Sequence, residues 1–328
     1  MSNTSPIYIA GEPFPLAPGM EQTHPFFPNR HRAVLEALVA RGVLSAKAIR
    51  KASPLAMSSV AHLVSRQLME QLASEEGLRK AMIAPEGCGD LRQMYLPPAL
   101  AAAGASVAAL RAAWRGGFGL HLGGGFHHAS RNGAEGFCLL PDITLAIDSL
   151  RQQEKGRRLR VMVIDLDAHH ANGVAADFAK DEDTYLFDVF NKDIYPKGMK
   201  PKMAAGKRIF LPSLCGDAEY LAKLGKALDG ALAKFMPDVV IYNAGADVLA
   251  GDPLGKLGLS KEGLAARDEM VVGKVRQHCP RLCMMMGGGY TEGAAGAVAD
   301  SLENLHRKFG LFKPQPTSRL LSPAYRAR

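Results

Sequence analysis

Residues 161–173 read VMVIDLDAHHANG, and the first half of that stretch restricts the fold more than any other part of the chain. Val161, Met162, Val163 and Ile164 are apolar in succession, with no alternation of polar residues. A strand of this kind is covered on both faces, the condition of a parallel sheet with helices packed on each side. The second half of the stretch then falls at the strand's carboxyl end, where open α/β sheets place their ligands. Asp165, Asp167 and His169 are spaced i, i+2, i+4, and an extended backbone would point them to one side. Carboxylates and an imidazole converging on a point are the ingredients of a divalent-metal site; the plainer alternative is a strand followed by a polar loop.

The rest of the chain repeats the strand-then-helix alternation. Strand-like runs fall at 6–10, 119–122, 184–189, 208–211, 237–243 and 281–286. Helical spacing appears from Val34, over 43–80, over 100–114, and at 142–153, 217–235, 261–278 and 293–308, with 84–98 reading as loop. This predicts an α/β fold: a single domain over 1–310 with a mostly parallel central sheet of about eight strands and helices on both faces. Residues 311–328 read as a basic, Pro-containing C-terminal tail.

Composition sets outer limits. A chain of 328 residues, 47% hydrophobic and 22% charged, buries a sizeable core without staples. The net charge of +8 is a mild basic excess that does not by itself indicate nucleic acid. Basic residues cluster over 190–208, and a solvated loop is the expectation there. The five cysteines are scattered and odd in number, which argues against a disulfide framework and for a reducing compartment. The first residues carry no basic-then-apolar signal, and no apolar run reaches the ~18 residues of a bilayer span. A cytoplasmic protein without membrane contact is therefore expected; oligomeric state is not legible.

Four strands end in unusual text: GGGFHHA, DLDAHHANG, NAGAD and GGGY. Each alone is a tight turn or a helix cap. In a doubly wound sheet, successive strand ends meet along one edge, so all four could share a cleft. Asp167, His169 and Asp247 would give a metal three ligands and leave a position open, as catalytic zinc requires. His127 and His128 can supply a general base and acid near neutral pH, and Tyr290 can donate to a developing oxyanion. Together these describe hydrolysis of an amide or ester. No G-x-S-x-G elbow is present, which argues against an acyl-serine route.

The ordered set GGGFHHA, EGFC, DLDAHHANG, YNAGAD, GDPLG and GGGY resembles the histone deacetylase family of the arginase-deacetylase fold. The match runs over roughly residues 20–305, and DVFNKDIYP and YNAGADVLAGD are most similar to its class IV branch. The resemblance implies one Zn2+ held by Asp167, His169 and Asp247. It implies proton transfer by His128, with His127 an electrostatic partner supported by Asp165, and a carbonyl polarised by Tyr290. Asp165, Asp188 and Val189 fall where a structural K+ site takes ligands. Phe137 and Tyr195 match the walls of the lysine channel, Gly136 and Gly288 line it, and Arg30 matches the arginine of an inner acetate-release cavity. The implied substrate is an acylated protein or peptide, with an N-ε-acetyl-lysine or a longer acyl chain.

Two positions depart from the wider family. Asn172 stands where many members carry an aspartate behind the second histidine, a substitution the class IV branch shares, and an amide supports an imidazolium less than a carboxylate does. Leu254 stands where polyamine-selective relatives carry a glutamate, which counts against acetylpolyamine. Two alternatives stay in view: an amidohydrolase of a small acetylated amine or metabolite, and a non-catalytic acyl-lysine binding protein. An arginase-like pair of manganese ions is disfavoured, since His170 and Val248 follow the ligand positions where further carboxylates would be needed.

Overall fold

The computed structural model describes residues 7–9, 15, 30–45, 48–197 and 203–312. The tail expected from 311 lies outside the described residues beyond Phe312, as does the centre of the basic 190–208 segment.

Eight strands form one sheet: β1 (Ile7–Ile9), β2 (Ile49–Lys51), β3 (Phe118–His121), β4 (Val161–Asp165), β5 (Thr184–Asn191), β6 (Gly206–Leu211), β7 (Val239–Asn243) and β8 (Leu282–Met285). The spatial order is β2-β1-β3-β8-β7-β4-β5-β6, and every adjacent pair is parallel. The helices are α1 (Arg30–Ala40), α2 (Met57–Ala61), α3 (Arg66–Ala73), α4 (Glu75–Met82), α5 (Leu91–Gly116), α6 (Asp142–Gln153), α7 (Asn172–Asp177), α8 (Asp217–Phe235), α9 (Lys261–His278) and α10 (Ala294–Phe309).

The non-alternating strands are buried on both sides, as their composition requires. Met162 and Ile164 of β4, with Val240 and Tyr242 of β7, pack in a core with Val34 of α1, Leu224 of α8, Val271 of α9 and Leu302 of α10. The intervening Val161, Val163, Val239 and Ile241 face a second core with Leu110 of α5, Ile143 and Ile147 of α6 and Val174 of α7. Helices α3, α4 and the start of α5 close a smaller third cluster around Leu68, Leu78 and Tyr95.

Three local expectations need correction. The predicted helix over 43–80 is instead β2 followed by three short helices. The hydroxyls of Ser65 and Ser74 accept from the Leu68 and Gly77 amides and start α3 and α4. Residues 84–98 are not all loop: α5 begins at Leu91, with Asp90 capping the Gln93 amide, and runs through Pro97 and Pro98. Helix α5 is also long and apolar enough, by length and composition, to cross a membrane, contrary to the reading that no such segment exists. Its apolar window is 72% buried inside the fold, which accounts for that composition as core packing.

The consequence for function lies in the middle of the sheet. The contiguous strands β3, β8, β7 and β4 are the four whose ends carry the polar and glycine-rich text. One row of registered residues, His121, Met285, Asn243 and Asp165, crosses their carboxyl ends and continues to Asp188 within β5. Beyond that row the chain leaves each strand and the motifs begin.

Candidate active site

Asp167, His169 and Asp247 each aim one ligand atom at a common point, and these atoms lie within 4.8 Å of one another. The His169 Nδ1 is 3.0 Å from Asp167 Oδ1 and 2.8 Å from Asp247 Oδ2. Backbone amides fix the remaining carboxylate oxygens: Gly288 donates to Asp167 Oδ2 at 2.7 Å, and Ala168 to Asp247 Oδ1 at 2.9 Å. All three side chains are buried.

This donor set draws a cation. Burial, then the charge of Asp167, push the Asp247 carboxyl up to about 7. Burial works against a proton on His169, yet the two carboxylates raise it to about 10. A proton is the smallest cation that satisfies the cluster; a divalent ion taking nitrogen and oxygen ligands is the larger one, and three protein ligands with an open side fit catalytic zinc. A glycine lies against the cluster. A Cβ on Gly288 would come within 2.8 Å of both Asp167 Oδ2 and Asp247 Oδ2, so any other residue would intrude on the ligand atoms.

The tandem histidines differ sharply in environment. His127 Nδ1 donates to Asp165 Oδ2 at 3.0 Å, and its Nε2 is 3.6 Å from Asp167. Burial opposes a charge there, but Asp165 and Asp167 outweigh it and raise His127 to about 9. His128 Nδ1 donates to Asn172 Oδ1 at 2.6 Å. With an amide in place of a carboxylate, burial and the charges of His127 and His169 hold His128 well below its ordinary value. One imidazole is thus kept cationic and its neighbour neutral, with ring centroids 4.2 Å apart. Asp165 does not join the metal-ligand cluster as the i, i+2, i+4 spacing first suggests. The chain departs from extended backbone after β4, and Asp165 accepts from His127, from Asn243 at 3.0 Å and from the Asp167 amide at 3.2 Å.

Tyr290 follows the glycine turn after β8. Its amide donates to Asp252 Oδ2 at 2.8 Å, and its ring stands 6.5 Å from that of His169. Burial, then Asp167 and Asp247, push its phenol well above the ordinary range, so it remains a donor. Phe137 lies 6.2 Å from the Tyr290 ring and Tyr195 lies 5.0 Å from His128, which brings both expected wall residues around the cluster. Gly136 and Phe137 occupy a two-residue turn closed by Glu135 and Cys138, with φ of 59° and 64°. Positive φ at both centres is the requirement of a type I′ turn, and a Cβ at Gly136 would come within 2.5 Å of the His128 ring.

The other anticipated residues are also located. Arg30 donates to the carbonyls of Gly289 (3.1 Å) and Gly287, clamping the turn that leads to Tyr290. Leu254 sits in the tight turn made by Asp252 Oδ1, which accepts its amide at 3.0 Å. Asp188 lies beside Asp165 across β4 and β5 and accepts from His170 at 2.6 Å; its Oδ1 has no partner among the described residues. Val189 is buried in β5 next to it. A separate groove of about 550 Å³ between β6 and α8, lined by Lys207, Lys223, Lys226 and Phe210, shares none of these residues.

Several supporting residues carried no assigned role in the sequence. Glu135 accepts from Asn172 Nδ2 at 2.6 Å and from the Tyr195 hydroxyl at 2.8 Å. Arg267 of α9, fully buried, donates to the carbonyls of Gly245 (2.6 Å) and Leu166 (3.1 Å), joining the ends of β7 and β4. Asp142 accepts the Gly125 and Phe126 amides and the Ser106 hydroxyl, and Ser106 in turn bonds His121 Nδ1 at 2.9 Å. Glu135 and Asp252 stand inside quoted motifs and could have been flagged there. A buried arginine on a helix gives no sequence signal.

Residues 24–305 match the family described as Histone deacetylase domain. Histone deacetylase 2 of Arabidopsis thaliana is 37% identical over 304 residues, covering 91% of this chain and 77% of the relative. Histone deacetylase 6 of Caenorhabditis elegans is 26% identical, over 87% of this chain and 32% of its own length. Among solved structures, an HDAC homolog from Aquifex aeolicus has a TM-score of 0.73 at 23% identity, covering 92% of this chain and 83% of that one. The HDA15 HD domain has a TM-score of 0.72 at 20% identity, covering 94% and 92%. At those identities the structural likeness speaks for the fold.

Proposed function

The chain belongs to the histone deacetylase family, and from that premise we propose that it hydrolyses the side-chain amide of N-ε-acyl-lysine with one zinc ion. The observation that carries this reading is the convergence of Asp167, His169 and Asp247 on a point beside two histidines of opposite charge preference. Zinc held by those three residues would supply the Lewis acid that activates water and polarises the amide carbonyl.

The chain's own groups then divide the work. His128, kept neutral, accepts a proton from the attacking water and later returns it to the leaving lysine amine. His127, held by Asp165 and kept cationic, stabilises the negative charge that develops beside it. The phenol of Tyr290 donates to the carbonyl oxygen as that oxygen gains charge. Phe137 and Tyr195 form the walls for the lysine stem, with Gly136 and Gly288 leaving room between them. Arg30, on the carbonyls of the Tyr290 turn, positions that turn and is assigned to the acetate-release side. Asp165, Asp188 and Val189 are proposed as a structural K+ site, supported by the buried carboxylate oxygen of Asp188 that lacks a hydrogen-bond donor.

The substrate is read as an acylated protein or peptide, and Leu254, which offers no partner to a distant ammonium, argues against acetylpolyamine. Asn172 and the DVFNKDIYP text support placement in the class IV branch, and the five free, buried cysteines support a cytoplasmic setting. The test is turnover of lysine peptides bearing acetyl to long-chain acyl groups, with and without a chelator. Wild-type activity should vanish on chelation and return with zinc, and Asp247→Ala should not be rescued. Full activity of Asp247→Ala with no metal bound would sink the proposal.

A further inference from the structure

Behind His128 the chain has a relay that the motif pattern does not contain. Asn172 Oδ1 takes the Nδ1 proton of His128 at 2.6 Å, and Asn172 Nδ2 donates to Glu135 Oε1 at 2.6 Å. The second oxygen of Glu135 accepts from the Tyr195 hydroxyl at 2.8 Å, and the Glu135–Cys138 turn fixes its backbone. The carboxylate is therefore held from both sides.

An asparagine amide is ambiguous by itself, since it can turn either its oxygen or its NH2 towards a neighbour. Turned one way, it accepts from His128 Nδ1–H and leaves Nε2 with a free lone pair. Turned the other way, it donates to Nδ1, and the imidazole carries its proton on Nε2, where it can take no further proton. A carboxylate only accepts hydrogen bonds, so Glu135 removes the ambiguity: the NH2 must face it and the oxygen must face His128. The tautomer of a histidine is set by the bond that its other nitrogen makes.

We propose that Glu135 is a positioning residue that fixes the Asn172 amide and, through it, the Nδ1–H tautomer of His128. The role presumes the reading of His128 as the base. It makes the Glu135–Asn172 pair do together what an aspartate at position 172 does alone: the carboxylate is kept, but one residue further back, with a neutral amide between it and the ring.

The test uses the full chain loaded with zinc and labelled with 15N-histidine. In the wild type the His128 nitrogens should give the Nδ1–H pattern. Glu135→Gln, which can donate as well as accept, should give a mixture with the Nε2–H form and lower kcat by about tenfold, the scale of a lost supporting partner. The effect should depend on position 172. In an Asn172→Asp background no amide remains to be oriented, and Glu135→Gln relieves a carboxylate pair, so kcat should hold or rise. An unchanged His128 pattern in Glu135→Gln, or an equal loss of kcat in both backgrounds, overturns the proposal. Should the zinc-loaded wild type hydrolyse no acyl-lysine at all, the functional reading fails, and the nitrogen pattern by itself decides the role of Glu135.

Discussion

The backbone amide of Gly288 donates to Asp167 Oδ2 at 2.7 Å, so the strand end that carries Tyr290 is tied directly to a residue of the ligand cluster. A side chain at 288 would break that arrangement from inside, because its Cβ would lie 2.8 Å from carboxylate oxygens of both Asp167 and Asp247. Gly288→Ala should therefore weaken zinc binding by roughly 10- to 100-fold, the range seen when the support of a ligand is disturbed. Competition with a chromogenic chelator measures this directly. Unaltered affinity would mean that the turn moves aside without cost.

Changes at His128 and at Tyr290 should both fall on kcat. On the proposed mechanism, His128→Ala removes the proton acceptor and should lower kcat by about 10² to 10⁴. On the same mechanism, Tyr290→Phe removes one donor to the developing oxyanion and should lower kcat by about 10² to 10³. Single-turnover assays at saturating peptide report both. A Tyr290→Phe enzyme impaired only in KM would reassign the tyrosine to substrate binding.

Stability should carry a pH signature from His121. Burial lowers its pKa from 6.5 to about 3. Between those values the unfolded chain binds a proton that the folded chain refuses, so stability is lost as pH falls below 6.5 and is unaffected above it. From pH 8 to pH 5 this single group removes about 2 kcal/mol. Urea unfolding at the two pH values should give a difference smaller by about that amount in His121→Asn. Equal differences in the two proteins would refute the assignment.

Arg267→Met should be costly although it lies outside the cluster. It leaves Asp268 buried without its cation and the Gly245 and Leu166 carbonyls without their donor. Removing one partner of a buried ion pair costs about 3–5 kcal/mol, and denaturant titration of the metal-free protein should register a loss of that order. A companion change at Asp268 to asparagine should recover part of it.

Much of the architecture was legible because the central strands announce themselves. VMVID and VVIYN are apolar at consecutive positions and end in polar text, and that combination locates both the sheet and the edge that carries chemistry. The first third is less legible. Pro97 and Pro98 suggested a break where α5 continues, and a run of helix-forming residues hid the caps at Ser65 and Ser74. Within the site, Asp167, His169, Asp247, His127, His128 and Tyr290 stand out by residue type at strand ends, and the fold brings them together. Glu135 is marked in the sequence only by its place in EGFC and Arg267 by nothing, because what each touches lies 37 and 22 residues away, which spacing does not encode.

The order β3-β8-β7-β4 also governs when the chemistry can exist. Strands β3 and β4 emerge early in the chain but are not neighbours: two later strands must slot between them before the sheet's centre closes. Until β7 and β8 arrive, the inner edges of β3 and β4 present unpaired backbone, and pairings this distant in sequence make for slow folding and exposure to aggregation. Because Asp247 follows β7 and Tyr290 follows β8, a nascent chain halted before about residue 240 carries the histidines without Asp247, and one halted before residue 290 still lacks Tyr290. The cluster and its tyrosine are therefore assembled only once nearly the whole domain has been synthesised.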